Sequence, residues 1–88
     1  MRKAFITGIT GQDGAYLASL LLSKGYDVVG GYRRQSIRGF DRLDELGIRM
    51  RVKLIESDLL DLSNLIRVIE RERPQEIYNL AAQSFVYY

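Results

Sequence analysis

The 88-residue sequence has no cysteine and no histidine. The first absence excludes disulfides and thiolate metal sites, and the second removes the imidazole ligands on which a zinc centre would otherwise depend. No apolar run approaches membrane-spanning length. The Met1-Arg2-Lys3 start leads into an apolar segment too short for the hydrophobic region of a secretion signal. A soluble cytoplasmic protein with no membrane partner is the expectation. Thirteen basic against eleven acidic residues leave a net charge of +2, too small to imply nucleic-acid binding. A single domain of this size buries only about 60% of the surface its unfolded chain exposes, so stability is expected to be marginal.

What the chain does have is glycine in register. Thr7-Gly8-Ile9-Thr10-Gly11-Gln12-Asp13-Gly14 places three glycines at i, i+3 and i+6 between the apolar run Ala4-Phe5-Ile6 and a helical pattern. A helix beginning near Gln12 offers free backbone N–H groups and a partial positive charge at its first turn, which suits a bridging diphosphate. Gly8 would make the tight turn, Gly11 would let the phosphates approach, and Gly14 would let the helix pack closely. Three glycines alone can be ordinary turns. The strand before, the helix after and a second strand about twenty residues on supply the context a dinucleotide site requires.

The remaining pattern continues in the same alternation. Leu17, Ala18 and Leu21, in line with Gly14, make the first helical stripe, closed by Lys24-Gly25. Asp27 to Gly31 reads as the second strand. Asp41 to Leu46 reads as a weak helix ending at Gly47, with Leu43 and Leu46 spaced to face inward. Val52 to Ile55 reads as the third strand. Leu62, Leu65, Ile66 and Ile69 form a helical stripe with Asp61 as N-cap and Pro74 as the stop, and Ile77 to Ala81 reads as the fourth strand. The expected fold class is α/β, a Rossmann-type doubly wound parallel sheet built β-α-β-α-β-α-β, with strand order 3-2-1-4.

In such sheets ligands bind beyond the carboxyl ends of the strands. After the second strand, where an NAD site usually carries an acidic residue, stand Arg33 and Arg34. A guanidinium can hold a 2′-phosphate with two charge-assisted hydrogen bonds, so the position favours NADP over NAD, unless the two are simply surface arginines. After the third strand, Asp58 can accept from the adenine amino group while Leu59 offers a backbone N–H, or Asp58 can cap a turn. After the fourth, Leu80, Ala81, Ala82, Gln83 and Ser84 would face the nicotinamide half or the substrate. Ala81-Ala82 can equally be tight packing.

These segments, together with Ala15-Tyr16-Leu17-Ala18 and Glu76-Ile77-Tyr78-Asn79 ahead of Leu80 and Phe85-Val86 behind Ser84, resemble the N-terminal part of the GDP-mannose 4,6-dehydratases. That family belongs to the extended short-chain dehydrogenases/reductases. Gln12-Asp13 is the discriminating pair, because related epimerases and dehydratases usually carry aromatic or aliphatic residues there. The resemblance implies that Gly8, Ile9, Thr10, Gly11, Gln12 and Asp13 wrap the pyrophosphate, Arg33 the 2′-phosphate, Asp58 and Leu59 the adenine, and Leu80 to Ser84 the nicotinamide side. It implies bound NADP, GDP-mannose as substrate, conversion to GDP-4-keto-6-deoxymannose by internal hydride transfer and water elimination, and a homo-oligomer.

The family's Tyr-x-x-x-Lys pair, its Ser/Thr partner and its Glu base lie beyond the matched region. None of Tyr16, Tyr26, Tyr32 or Tyr78 has a lysine four residues on. No catalytic residue is assigned, and the 88-residue chain alone is expected to be inactive. Tyr87-Tyr88 departs from the small polar residues expected after the fourth strand. Three other readings stay open: another NADP-dependent epimerase or reductase of sugar nucleotides, a non-catalytic NADP-binding module, and a basic nucleic-acid-binding protein built on the cluster from Arg33 to Lys53. The cluster lacks interleaved aromatics apart from Phe40.

Overall fold

The structure is a computed structural model that describes residues 2–33, 40–57 and 61–80. Four parallel strands, β1 (Lys3–Thr7), β2 (Asp27–Tyr32), β3 (Val52–Glu56) and β4 (Glu76–Asn79), form one sheet in the order β3-β2-β1-β4. Helix α1 (Gln12–Ser23) links β1 to β2, α2 (Phe40–Glu45) and a 3-10 turn at Arg49–Arg51 precede β3, and α3 (Leu62–Glu72) crosses from β3 to β4. No helix among the described residues is long and apolar enough to cross a membrane.

Alternation along the strands divides the core in two. Ala4, Ile6, Val28 and Val52 point to the face covered by α1 and α2, where they meet Ala15, Ala18, Leu21, Leu22 and Leu43. Phe5 and Val29 point to the other face, against Leu65, Val68 and Ile69 of α3. The sheet is therefore wound on both sides, as the βα alternation requires.

Helix ends follow local chemistry. At the end of α1, Gly25 N–H bonds Leu22 O at 3.0 Å and Tyr26 N–H bonds Leu21 O at 3.0 Å, a Schellman turn with Gly25 at φ 86°. The same pair of bonds recurs after α2, from Gly47 to Asp44 and from Ile48 to Leu43. Asp61 caps α3 by accepting from Asn64 N at 3.1 Å. Pro74 prevents continuation, and Arg73 turns the chain at φ 49°.

Three expectations shift. The fourth strand runs Glu76–Asn79 instead of beginning at Ile77, because Gln75 docks its start: Gln75 N–H donates to Lys3 O at 2.9 Å, and Lys3 N–H donates back to Gln75 Oε1 at 2.8 Å. Leu46 is not inward. It lies beyond the last turn of α2 and is 37% exposed, and Ile48 fills the core position through its Schellman contact with Leu43. The stripe of α3 is rotated: Leu62 is 65% and Ile66 46% exposed, while the buried line is Leu65, Val68, Ile69 and Glu72.

Glu72 is buried because it is paired. Its carboxylate accepts from Lys53 Nζ at 2.8 Å and from Lys3 Nζ and Arg71 Nε at 3.4 Å, clamping α3 to the starts of β1 and β3. The hydrogen bond from Lys53, with further help from Lys3, holds this carboxyl below the ordinary carboxylate range in spite of burial.

Candidate functional site

The parallel register brings the ends of all four strands to one edge. Thr7 lies beside Gly31 on one side and Asn79 on the other, and Tyr32 lies beside Glu56. From this edge rise the glycine loop, Arg33, Ser57 and Leu80. Arg33 is exposed, Ser57 is buried with its N–H donating to Tyr32 O at 2.8 Å, and Leu80 packs partly into the core. Arg34, Asp58, Leu59, Ala81, Ala82, Gln83 and Ser84 lie outside the described residues.

The glycine loop separates into an anchor and an open lip. Gly8, at φ 74°, and Ile9 both direct their N–H groups to Gly31 O at 3.1 Å, and Gly11 N–H turns back to Gly8 O at 3.1 Å. The Ile9 side chain is wholly buried, against Gly30 of β2, where an added Cβ would come within 2.6 Å of Ile9 Cγ1. These groups hold the loop to the sheet. Thr10, Gln12, Asp13 and Gly14 direct no N–H to a backbone acceptor within the loop, whereas Ala15 N–H already bonds Gly11 O at 3.0 Å. Gly14 is buried, which leaves the N–H groups of Thr10, Gln12 and Asp13, with no backbone partner among the described residues, as the candidates to receive an anion.

The two later glycines are required for different reasons. A Cβ on Gly14 would lie 2.4 Å from Gly8 O and 2.9 Å from Ile9 Cα, so this residue lets the helix sit directly on the loop. A Cβ on Gly11 would meet only Gly8 O at 3.4 Å, an ordinary contact, and Gly11 has an extended φ of −73°. Nothing within the described chain demands glycine at this exposed position. The position leaves the backbone open to close approach, which makes the loop a candidate diphosphate site.

Sequence reasoning missed the struts beneath this edge. Thr7 Oγ1 donates to Asn79 Oδ1 at 2.8 Å, and Tyr32 meets Phe40 edge-on with ring centroids 5.0 Å apart. Gly30-Gly31 inside a strand was the one available signal, since glycine there marks close approach of other groups.

Fold and loop together define the class: a Rossmann-type α/β domain with its glycine loop opening the first helix. The profile described as GDP-mannose 4,6 dehydratase matches residues 5–88, and the chain belongs to that family. The matched stretch extends through Tyr87 and Tyr88. The chain is 50% identical over 91 aligned positions to the GDP-mannose 4,6-dehydratase of Yersinia enterocolitica, covering 98% of this chain and 24% of that protein. It thus spans about a quarter of the length of the curated relatives it matches. Among solved structures, dTDP-glucose 4,6-dehydratase from Bacillus anthracis, in complex with NAD, superposes with a TM-score of 0.77 at 17% identity, over 100% of this chain and 29% of that one. The Bordetella bronchiseptica enzyme WbmH, in complex with NAD+, gives 0.68 at 30% identity, over 94% and 26%.

Proposed function

We propose that this chain is the NADP-binding segment of a cytoplasmic, homo-oligomeric sugar-nucleotide dehydratase that converts GDP-mannose to GDP-4-keto-6-deoxymannose. The observation that carries the reading is the open Cβ position of Gly11 beside the N–H groups of Thr10, Gln12 and Asp13, which have no backbone partner among the described residues. These donors would hold the pyrophosphate. Gly8 and Ile9 would support them from below, and Asp13 would serve through its N–H while its exposed carboxylate stays in solvent.

Arg33 would take the 2′-phosphate, Asp58 and Leu59 the adenine, and Leu80 to Ser84 the nicotinamide side. The 30% identical WbmH, solved with NAD+, and the family membership support a nicotinamide cofactor, and Arg33 is what favours the 2′-phosphorylated form. Bound nicotinamide supplies reversible hydride transfer. This chain's own residues bind and orient it.

The test compares two alanine variants by calorimetric titration with NADP, alongside thermal unfolding. Gly11→Ala is expected to fold as the parent does and to lose at least about tenfold in affinity, the equivalent of one displaced charge-assisted contact. Gly14→Ala is expected to lose stability, because its Cβ has no room. Unchanged NADP affinity in Gly11→Ala would overturn the reading.

A further inference from the structure

Tyr32, the last residue of β2, is held from several directions. Its carbonyl accepts from Ser57 N at 2.8 Å, its backbone pairs with Glu56, and its ring stands at 77° to that of Phe40, the first residue of α2. Phe40 is fixed in turn. The Arg49 guanidinium lies 4.7 Å from its ring centroid, and Arg49 Nη1 donates to Asp44 Oδ2 at 3.2 Å. An ion pair, a cation–π contact and an edge-to-face contact therefore run in series from α2 and the 3-10 turn to the end of β2. The pyrophosphate loop uses none of these side chains.

The residue following Tyr32 is Arg33. A guanidinium gains from a phosphate only when distance and angle suit both hydrogen bonds, and Arg33 is a long, exposed side chain with many rotamers. Fixing the backbone from which it springs confines that search. We propose that Phe40 and Arg49 are positioning residues for Arg33, so that the series Asp44, Arg49, Phe40 and Tyr32 sets how well the site distinguishes a ribose 2′-phosphate from a 2′-hydroxyl. The inference rests on the assignment of Arg33 given above.

The experiment uses the protein expressed from its natural gene, as the parent and as Phe40→Leu, Phe40→Tyr and Arg49→Gln. Each is titrated with adenosine 2′,5′-bisphosphate and with adenosine 5′-monophosphate. Phe40→Leu and Arg49→Gln are expected to lose roughly threefold to tenfold in affinity for the bisphosphate, the size of one aromatic contact, with the monophosphate unchanged. Phe40→Tyr keeps the ring and is expected to keep the ratio. The Arg49 side chain is 45% exposed, so Arg49→Gln decides the matter if Phe40→Leu does not fold. Equal losses for both nucleotides, or an unchanged ratio in Arg49→Gln, would overturn the inference while leaving Arg33 in place. A parent protein that does not distinguish the two nucleotides would overturn the assignment of Arg33 and the inference with it.

Discussion

The Thr7 hydroxyl donates to the side-chain oxygen of Asn79 at 2.8 Å, tying the last residue of β1 to the last residue of β4. Gly8 begins the loop one residue after Thr7, and Leu80 follows one residue after Asn79. The two halves of the site are thereby fixed in relative height. Thr7→Val keeps the shape and removes the donor, and should cost about 1 kcal/mol of stability, because Asn79 is exposed enough to rebond to water. Urea unfolding measures this. A parent-like midpoint would show that the bond contributes nothing net.

Gly30 and Ile9 make a second test of the loop's foundation. A methyl at Gly30 would overlap the Ile9 side chain at 2.6 to 3.1 Å, so Gly30→Ala should destabilise by about 1–3 kcal/mol through overpacking. The double variant with Ile9→Ala should lose less than the sum of the two single losses, because it removes Cγ1 and Cγ2, two of the three atoms in conflict. Additive losses in a double-mutant cycle would show that the two residues do not compete for the same space.

Acid should weaken the fold through Glu72. Its carboxyl is held low in the folded state, first by Lys53 and then by Lys3, so its contribution is fully present above the ordinary carboxylate range and drains away as pH falls through the lowered folded value. Glu76 acts in the same direction, because the Tyr78 and Tyr26 hydroxyls and Arg2 hydrogen-bond its charged form. Glu72→Gln should flatten the acid limb of stability against pH. An unchanged slope would place the acid sensitivity elsewhere.

Cofactor choice is the fourth test. In the protein expressed from its natural gene, NADP should bind more tightly than NAD, and Arg33→Glu should reverse that order, with a loss of roughly tenfold to a hundredfold for NADP from one charge-assisted contact. Arg34 can compensate for a neutral substitution, which makes Glu the sharper replacement. Equal affinities for the two dinucleotides in the parent would remove the basis for NADP.

Elements whose ends are set by local chemistry were readable in advance. Gly25 and Gly47 close their helices, Asp61 opens α3, and Pro74 stops it, each through bonds to near neighbours. The facing of α3 was not. Leu62, Leu65, Ile66 and Ile69 share the helical spacing of the buried line Leu65, Val68, Ile69 and Glu72, displaced by three residues. Apolar counting favours the first set because it scores Glu72 as polar. Burial is decided by Lys3 and Lys53, which lie 69 and 19 residues away in sequence. The site divides likewise: the glycines were legible by spacing, whereas Ile9 as an anchor and Asn79 as a strut depend on strands meeting across the sheet.

The charged and hydroxyl networks of Glu72 and Glu76 gather residues from the beginnings of the strands, with Arg2, Lys3, Tyr26 and Lys53 among them, and Gln75 accepts from the Lys3 backbone N–H beside them. Among the described residues, these charged networks rivet the sheet at this rim, and the opposite rim carries struts such as Thr7 with Asn79. Damage is therefore expected to differ by rim: changes among the rivets should loosen the whole fold, while at the opposite rim only an open position such as Gly11 should alter what is gripped without loss of stability.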